Sequence, residues 1–180
     1  IVYGTDVRSA SKEQVESLGG KFLMVEDKES KNSETSGGYA KEMSADYQKK
    51  QEALLAETLK NIDIIICTAQ IPGRQAPLII KKYMIENMKP GSVIIDLAVE
   101  TGGNCEFSQI GKIINKNGVK IIGHANVPGR VANNASALFS KNISNFLGLM
   151  NFESKKSFYD MKDEIIKATL VCAGGKLLIK

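Results

Sequence analysis

Apolar and polar positions succeed one another along this chain in two alternating periods, one of strands and one of helices. Residues 1–7, from Ile1 to Val7, predict a short strand with Asp6 at its end, and Lys12 to Leu18 predict a short helix closed by Gly19-Gly20. Phe22 to Val25 is a second strand, so the opening has the spacing of a right-handed parallel crossover. Charged, Ser, Thr and Gly residues from Glu26 to Gly38 form a loop long enough to suggest a functional segment. A helix is expected from Ser44 to Asn61, with Tyr47, Leu54, Leu55 and Leu59 on its apolar face and Lys49, Lys50, Gln51 and Glu52 on the wet side. The β-branched run Ile62 to Thr68 predicts a central, buried strand.

Ala69 to Pro77 reads as a loop, Leu78 to Met88 as a short amphipathic helix stopped by Pro90-Gly91, and Ser92 to Ala98 as another apolar strand. Val119 to Gly123 is a strand after the Asn117-Gly118 turn signal, and Ala125 to Asn133 is a loop. A helix follows from about Asn134 to Met150, with Leu138, Phe139, Ile143, Phe146 and Leu147 at helical spacing. The segment from Glu164 onward reads as a β-hairpin turning at Gly174-Gly175 rather than as a helix. Five apolar strands alternating with helices imply an α/β fold: a mainly parallel sheet with helices on both faces and a C-terminal hairpin. Residues 1–150 would form the main domain, and 151–180 an accessory segment of the same unit or one that packs on a missing lobe.

Composition narrows the function class. At 180 residues, with 43% hydrophobic and 24% charged residues, the chain suits one ordinary domain, and no apolar run approaches the roughly 20 residues of a membrane span. The net charge of +4 is spread through the sequence without an arginine-rich or aromatic-interleaved stripe, which argues against a nucleic-acid partner. Cys67, Cys105 and Cys172 stand far apart, with His124 the lone histidine, so no metal site is expected. The odd cysteine count fits a reducing compartment. The chain opens on Ile1 inside an apolar run, as though a domain were entered part-way.

In parallel sheets ligands bind beyond the carboxyl ends of the strands, which directs attention to the loops after Val7, Val25, Thr68, Ala98 and His124. Asp6 is either a ribose-binding acid or a surface aspartate near a helix. Gly37-Gly38-Tyr39 is either a lid tip or a loop whose tyrosine packs on the core. Thr68 to Gly73 leaves its strand with small residues that suit a flat ring, although Pro72-Gly73 serves a plain turn equally well. Asp96, Glu100, Asn104 and Glu106 surround one strand end, with Gly102-Gly103 allowing close approach of backbone to a cofactor. His124 is either a general base or a structural histidine, and Cys67, among apolar neighbours, reads as core.

The segments TDVRSASKEQVESLGGKF, SGGYAKEM, DIIICTAQIPGRQAP, MKPGSVIIDLAVETGGNCE and GVKIIGHANVPGRVANNASALFSKNISNFL resemble, in order, the NAD(H)-binding domain of proton-translocating nicotinamide nucleotide transhydrogenases. The resemblance implies a Rossmann-like domain that binds NAD(H) and exchanges hydride with NADP(H) held on a separate domain, in a homodimeric enzyme that also has a membrane domain. It would sit at the soluble face of that membrane enzyme, in bacterial cytoplasm or mitochondrial matrix, without inserting itself. By this resemblance Asp6, with Val7 beside it, is the ribose-binding acid. Gly38 and Tyr39, with Gly37 and Met43, belong to a loop that closes on the nucleotide. Thr68, Ala69, Gln70 and Ile71 line the adenine side, Gln70 standing where relatives often carry leucine. Gly103 and Asn104, with Gly102, shape the pocket, Asp96 is structural, and no side chain acts as catalytic acid or base.

The family's domain also has an earlier lobe with a Gly-rich turn and an Arg-Gln-Asp loop, neither found in these 180 residues. The expectation is that the first strand and its Gly-rich turn are missing, that the missing strand belongs between the Ile1 and Ile62 strands, and that this segment alone binds NAD(H) weakly and is inactive. The alternatives are an alanine-dehydrogenase-like oxidoreductase, a related family in which the position of Glu100 is a catalytic aspartate, and a non-catalytic NAD-binding fragment.

Overall fold

The computed structural model of the chain describes residues 1–26, 43–150 and 159–178. They divide into two compact units, Ile1–Ala125 and Asn126–Lys180. In the first, β1 (Tyr3–Gly4) and β2 (Lys21–Phe22) pair in parallel, joined by α1 (Ala10–Ser17). This is the expected opening crossover with shorter strands. Then comes α2 (Ala45–Leu59), whose N-cap Ser44 accepts a bond from the Tyr47 N–H through Oγ.

The main sheet contains β3 (Ile64–Cys67), β4 (Val93–Asp96), β5 (Ile113–Lys116) and β6 (Val119–Ile122), in the order β3-β4-β6-β5. The first three in that order run parallel, and β5 is antiparallel to β6. The mainly parallel α/β reading therefore holds. Strand β5 is an addition to it, although its signal is present in the sequence: Asn117-Gly118 separates two apolar runs, and both residues have the positive φ (51° and 83°) that a type I′ hairpin turn requires.

One face of this sheet is the core. Ile94, Val119 and Ile121 pack with Leu59 of α2 and with Met84 and Ile85 of α3 (Lys82–Glu86), joined by Cys67, Ile80, Met88 and Cys105. The other face is more open. Ile64 and Ile66 of β3 are 63% and 61% exposed, which corrects the expectation of a central, buried strand. β3 lies at the edge of its sheet, pairing only with β4 among the described residues, so half of its side chains find no covering layer there.

Helix α3 is also shorter than the expected Leu78 to Met88. Residues before it are drawn into extended pairing instead: the Ile79 and Ile80 N–H groups both donate to the Asn104 carbonyl, and the Glu106 N–H donates to that of Ile80. Two polar residues of α2 assigned to its wet side are structural ties. Gln51 Nε2 donates to Thr5 Oγ1 and the Leu23 carbonyl while its Oε1 accepts from the Val25 N–H, fastening the small sheet to α2. Glu52 accepts from Lys81 Nζ at 2.7 Å and the Tyr83 hydroxyl at 2.8 Å, fastening α2 to α3.

The second unit contains α4 (Val127–Arg130), α5 (Ala132–Leu147), α6 (Glu164–Thr169) and a hairpin of β7 (Cys172–Ala173) and β8 (Lys176–Leu177). The turn at Gly174-Gly175 is as expected, but the residues from Glu164 are helical because Asp163 Oδ1 caps the Ile165 and Ile166 N–H groups. Leu138 and Phe139 on the apolar stripe of α5 are exposed.

The two faces of the main sheet should respond differently to truncation. Ile94→Ala is expected to lower unfolding free energy by about 2–5 kcal/mol, and Ile64→Ala by no more than about 0.5 kcal/mol, in denaturant titrations. Equal losses would contradict the one-faced core.

Candidate functional site

The carboxyl ends of the parallel strands β3 and β4 are joined around Asp96, the last residue of β4. Asp96 is fully buried, and burying a carboxyl group is tolerable only when its oxygens are bonded. Its Oδ1 accepts from the Ala98 N–H at 3.0 Å, and its Oδ2 accepts from the N–H groups of Asn104 at 2.9 Å and Cys105 at 3.1 Å. The chain therefore leaves β4, makes a short 3-10 turn (Val99–Thr101) and curls back onto its own strand end. Gly103 is required by that curl: its φ is +83°, and a Cβ there would stand 2.8 Å from Asp96 Oδ2. The close approach that Gly103 allows is thus to Asp96.

Asn104 is also fully buried. Its Oδ1 accepts from the Ala69 N–H at 3.0 Å, and its Nδ2 donates to the carbonyls of Ala69 at 2.9 Å and Pro77 at 2.8 Å. Thr101 accepts from the Ala76 N–H through its carbonyl, and Gln70 Nε2 donates to the Leu97 carbonyl. The loops after β3 and β4 are consequently stitched into one surface. Thr68, Gln70 and Ile71 are exposed on it, and Pro72-Gly73 forms the plain turn, closed by the Arg74 N–H donating to the Ile71 carbonyl.

Asp6 stands past the end of β1 and is bonded by Arg8, whose backbone N–H, Nε and Nη2 all donate to its carboxylate, the shortest contact being 2.6 Å. Partial burial pushes the Asp6 carboxyl up, but the hydrogen bonds and charge of Arg8 outweigh it and hold the group below its usual range. Val7 beside it is half-buried. Gly37, Gly38 and Tyr39 lie outside the described residues, while Met43 is buried.

His124 follows β6 with its Nδ1 buried and without a hydrogen-bond partner among the described residues. Among those residues no carboxylate or carbonyl orients the ring through that nitrogen, as one normally orients a histidine base. Burial pushes the thiols of Cys67 up to about 12 and Cys105 up to about 11, which leaves both protonated and unreactive, as core cysteines are. Among the described residues no group of three or more His, Cys, Asp or Glu is placed to hold a metal ion. The polar cluster at the end of β4 is visible in the sequence, whereas its partners, the Pro77 carbonyl and the Ala69 backbone, are not.

Strand-end loops on a parallel sheet define a Rossmann-like α/β domain. A family model described as "Alanine dehydrogenase/PNT, C-terminal domain" matches residues 1–180, and the chain belongs to that family. It is 54% identical over 180 residues to the first part of the NAD(P) transhydrogenase alpha subunit of Rhodospirillum rubrum, covering 99% of this chain and 47% of the relative. The crystal structure of transhydrogenase from Sinorhizobium meliloti superposes with a TM-score of 0.74 at 46% identity, covering 98% of this chain and 45% of the other. Alanine dehydrogenase of Bacillus subtilis is 32% identical over 127 residues, covering 67% of this chain and 33% of its own. The chain spans about half the length of the transhydrogenase relatives it matches.

The Asp6–Arg8 pair gives a pH signature. With its folded value below the unfolded one, Asp6 stabilises the fold above the ordinary carboxylate range, and that contribution is lost as pH falls through the lowered folded value. In Arg8→Ala the guanidinium's bonds and charge are lost while burial, the backbone N–H of residue 8 and the Ser11 hydrogen bond remain, so the Asp6 carboxyl should titrate at higher pH than in the wild type when followed by 13C NMR. An unchanged midpoint would show that Arg8 does not hold it down.

Proposed function

We propose that this domain binds NAD(H) and is the NAD(H)-side component of a proton-translocating transhydrogenase, hydride passing between NADH and NADP+ held on a separate domain. What carries the reading is the likeness of nearly the whole chain to a relative named as a transhydrogenase alpha subunit. Residues 1–150 would be the NAD(H)-binding region and 151–180 its accessory segment.

The residues present fit the adenosine half of a dinucleotide. Asp6, with Val7, would receive the ribose hydroxyls, an acid at a strand end being suited to that contact, and Arg8 would yield part of its hold. The loop surface of Thr68, Ala69, Gln70 and Ile71 would face the adenine, Gly103 would shape the wall beneath it, and Gly38 and Tyr39 would close over the nucleotide. A cradle for the pyrophosphate, a glycine-rich turn leading into a long helix, is not found among the described residues. The free edge of β3, and the lack of pairing between the small sheet and the main one among those residues, support a strand of an upstream lobe lying between β1 and β3. With that strand would come the turn.

Bound nicotinamide supplies the hydride, and this chain's residues would bind, orient and exclude water without acid or base chemistry. The partners would be the enzyme's NADP(H)-binding and membrane domains and a second copy in a homodimer. Among the described residues no helix is long and apolar enough to cross a membrane, and the reading places the domain at the membrane enzyme's soluble face.

Fluorescence titration with NADH and NADPH, on this segment and on a version extended upstream, tests the reading. The extended form should bind NADH at least about tenfold more tightly than the segment, a gain of about 1.4 kcal/mol, and should not bind NADPH tightly. Tight NADPH binding without NADH binding would overturn the cofactor assignment. Formation of alanine from pyruvate, ammonia and NADH by the extended protein would favour the alanine dehydrogenase reading instead.

A further inference from the structure

A flat ring can be held against a loop only if the loop keeps its shape, and the loop from Ala69 to Pro77 has little regular structure of its own. It contains no strand and no helix, and its residues 70–75 are exposed. The β3–β4 ladder reaches its last residue pair at Cys67 and Asp96, with one more bond from the Leu97 N–H to the Cys67 carbonyl. Beyond that point no further ladder pair joins β3 and β4 among the described residues.

The Asn104 side chain takes over where the ladder stops. Its carboxamide accepts from the N–H of Ala69 and donates to the carbonyl of the same residue, which is the two-way bonding that a directly paired residue on an antiparallel strand would offer. Its second N–H reaches the Pro77 carbonyl at the far end of the loop, so one side chain grips both ends. The Asn104 backbone carbonyl meanwhile receives Ile79 and Ile80, and its own N–H is fixed by Asp96. Both N–H donors and the acceptor oxygen are thereby engaged within the protein. No N–H of the carboxamide remains to donate to a ligand.

We propose that Asn104 is a positioning residue: it touches no cofactor atom and instead extends the β3–β4 pairing by one rung, holding the 69–77 loop as a preformed wall for the adenine. The proposal rests on the NAD(H) reading for what the wall receives, but not for the wall itself. Residue type is decisive. Aspartate keeps the acceptor but lacks both N–H donors, and glutamine carries an extra methylene into a site already filled by the Ala69 and Pro77 backbones.

The test uses the full-length protein carrying these residues, with Asn104→Ala, Asn104→Asp and a control, Ser92→Ala, which removes a part-buried hydrogen bond to the Ile62 carbonyl at the opposite end of β4. Amide hydrogen exchange and NADH affinity are measured on all of them, alongside melting temperature. Both Asn104 variants should speed exchange across residues 69–77 and weaken NADH binding about tenfold, with KM for NADH rising and kcat nearly unchanged. Ser92→Ala should lower the melting temperature without either effect. Wild-type exchange at 69–77 in Asn104→Ala overturns the proposal, as does NADH affinity falling equally in the control. If the wild-type protein binds no NADH, the cofactor reading fails separately, and exchange at 69–77 alone then decides for or against the clamp.

Discussion

The buried carboxyl group of Asp96 is the constraint from which the rest of this strand-end architecture follows. A carboxyl at the heart of an apolar sheet is costly unless its oxygens are bonded, and here three backbone N–H groups supply the bonds. To deliver them the chain must turn back sharply after β4, which the residue at position 103 can follow only without a Cβ. That return brings Asn104 under the loop after β3, and its carboxamide fixes Ala69 and Pro77. Asp96 thus orders one loop directly and a second at one remove.

Side-chain ties of the same kind link the two sheets of the first unit. Among the described residues no ladder joins them; α2 does, through Gln51 to the ends of β1 and β2 and through Glu52 to Lys81, the N-cap of α3, and to Tyr83 within it. The helix packs Leu59 into the core while its polar side chains fasten neighbours on either side.

How far the sequence can be read depends on whether the signal is local. The β-branched runs at Ile64–Cys67 and Val93–Asp96 and the Gly174-Gly175 turn are local, and they emerge as two strands and a hairpin turn. Features decided by distant partners do not. Gln51 and Glu52 look like solvated helix residues until their partners, Val25 and Lys81, are seen across the fold. Residues 78–81 have a helical pattern but are pulled straight by the Asn104 carbonyl. The exposure of Ile64 and Ile66 follows from the position of β3 at a sheet edge, which its own composition cannot reveal. At the site, the polarity of Asn104 is legible but its direction is not. A polar residue in a strand-end loop reads as part of a pocket, but that Asn104 is buried with its carboxamide bonded to Ala69 and Pro77 depends on chain segments far from it in sequence.

If the Asp96–Asn104 clasp makes the carboxyl-terminal end of the sheet a ready cofactor surface, NADH must perturb that end and leave the other alone. Amide chemical-shift mapping of the full-length protein during addition of NADH tests this most directly. Shifts should concentrate at residues 6–8 and 68–71, with little change at 90–92 and 117–118 on the opposite end. Shifts centred on that opposite end, with residues 68–71 unmoved at saturation, would contradict it.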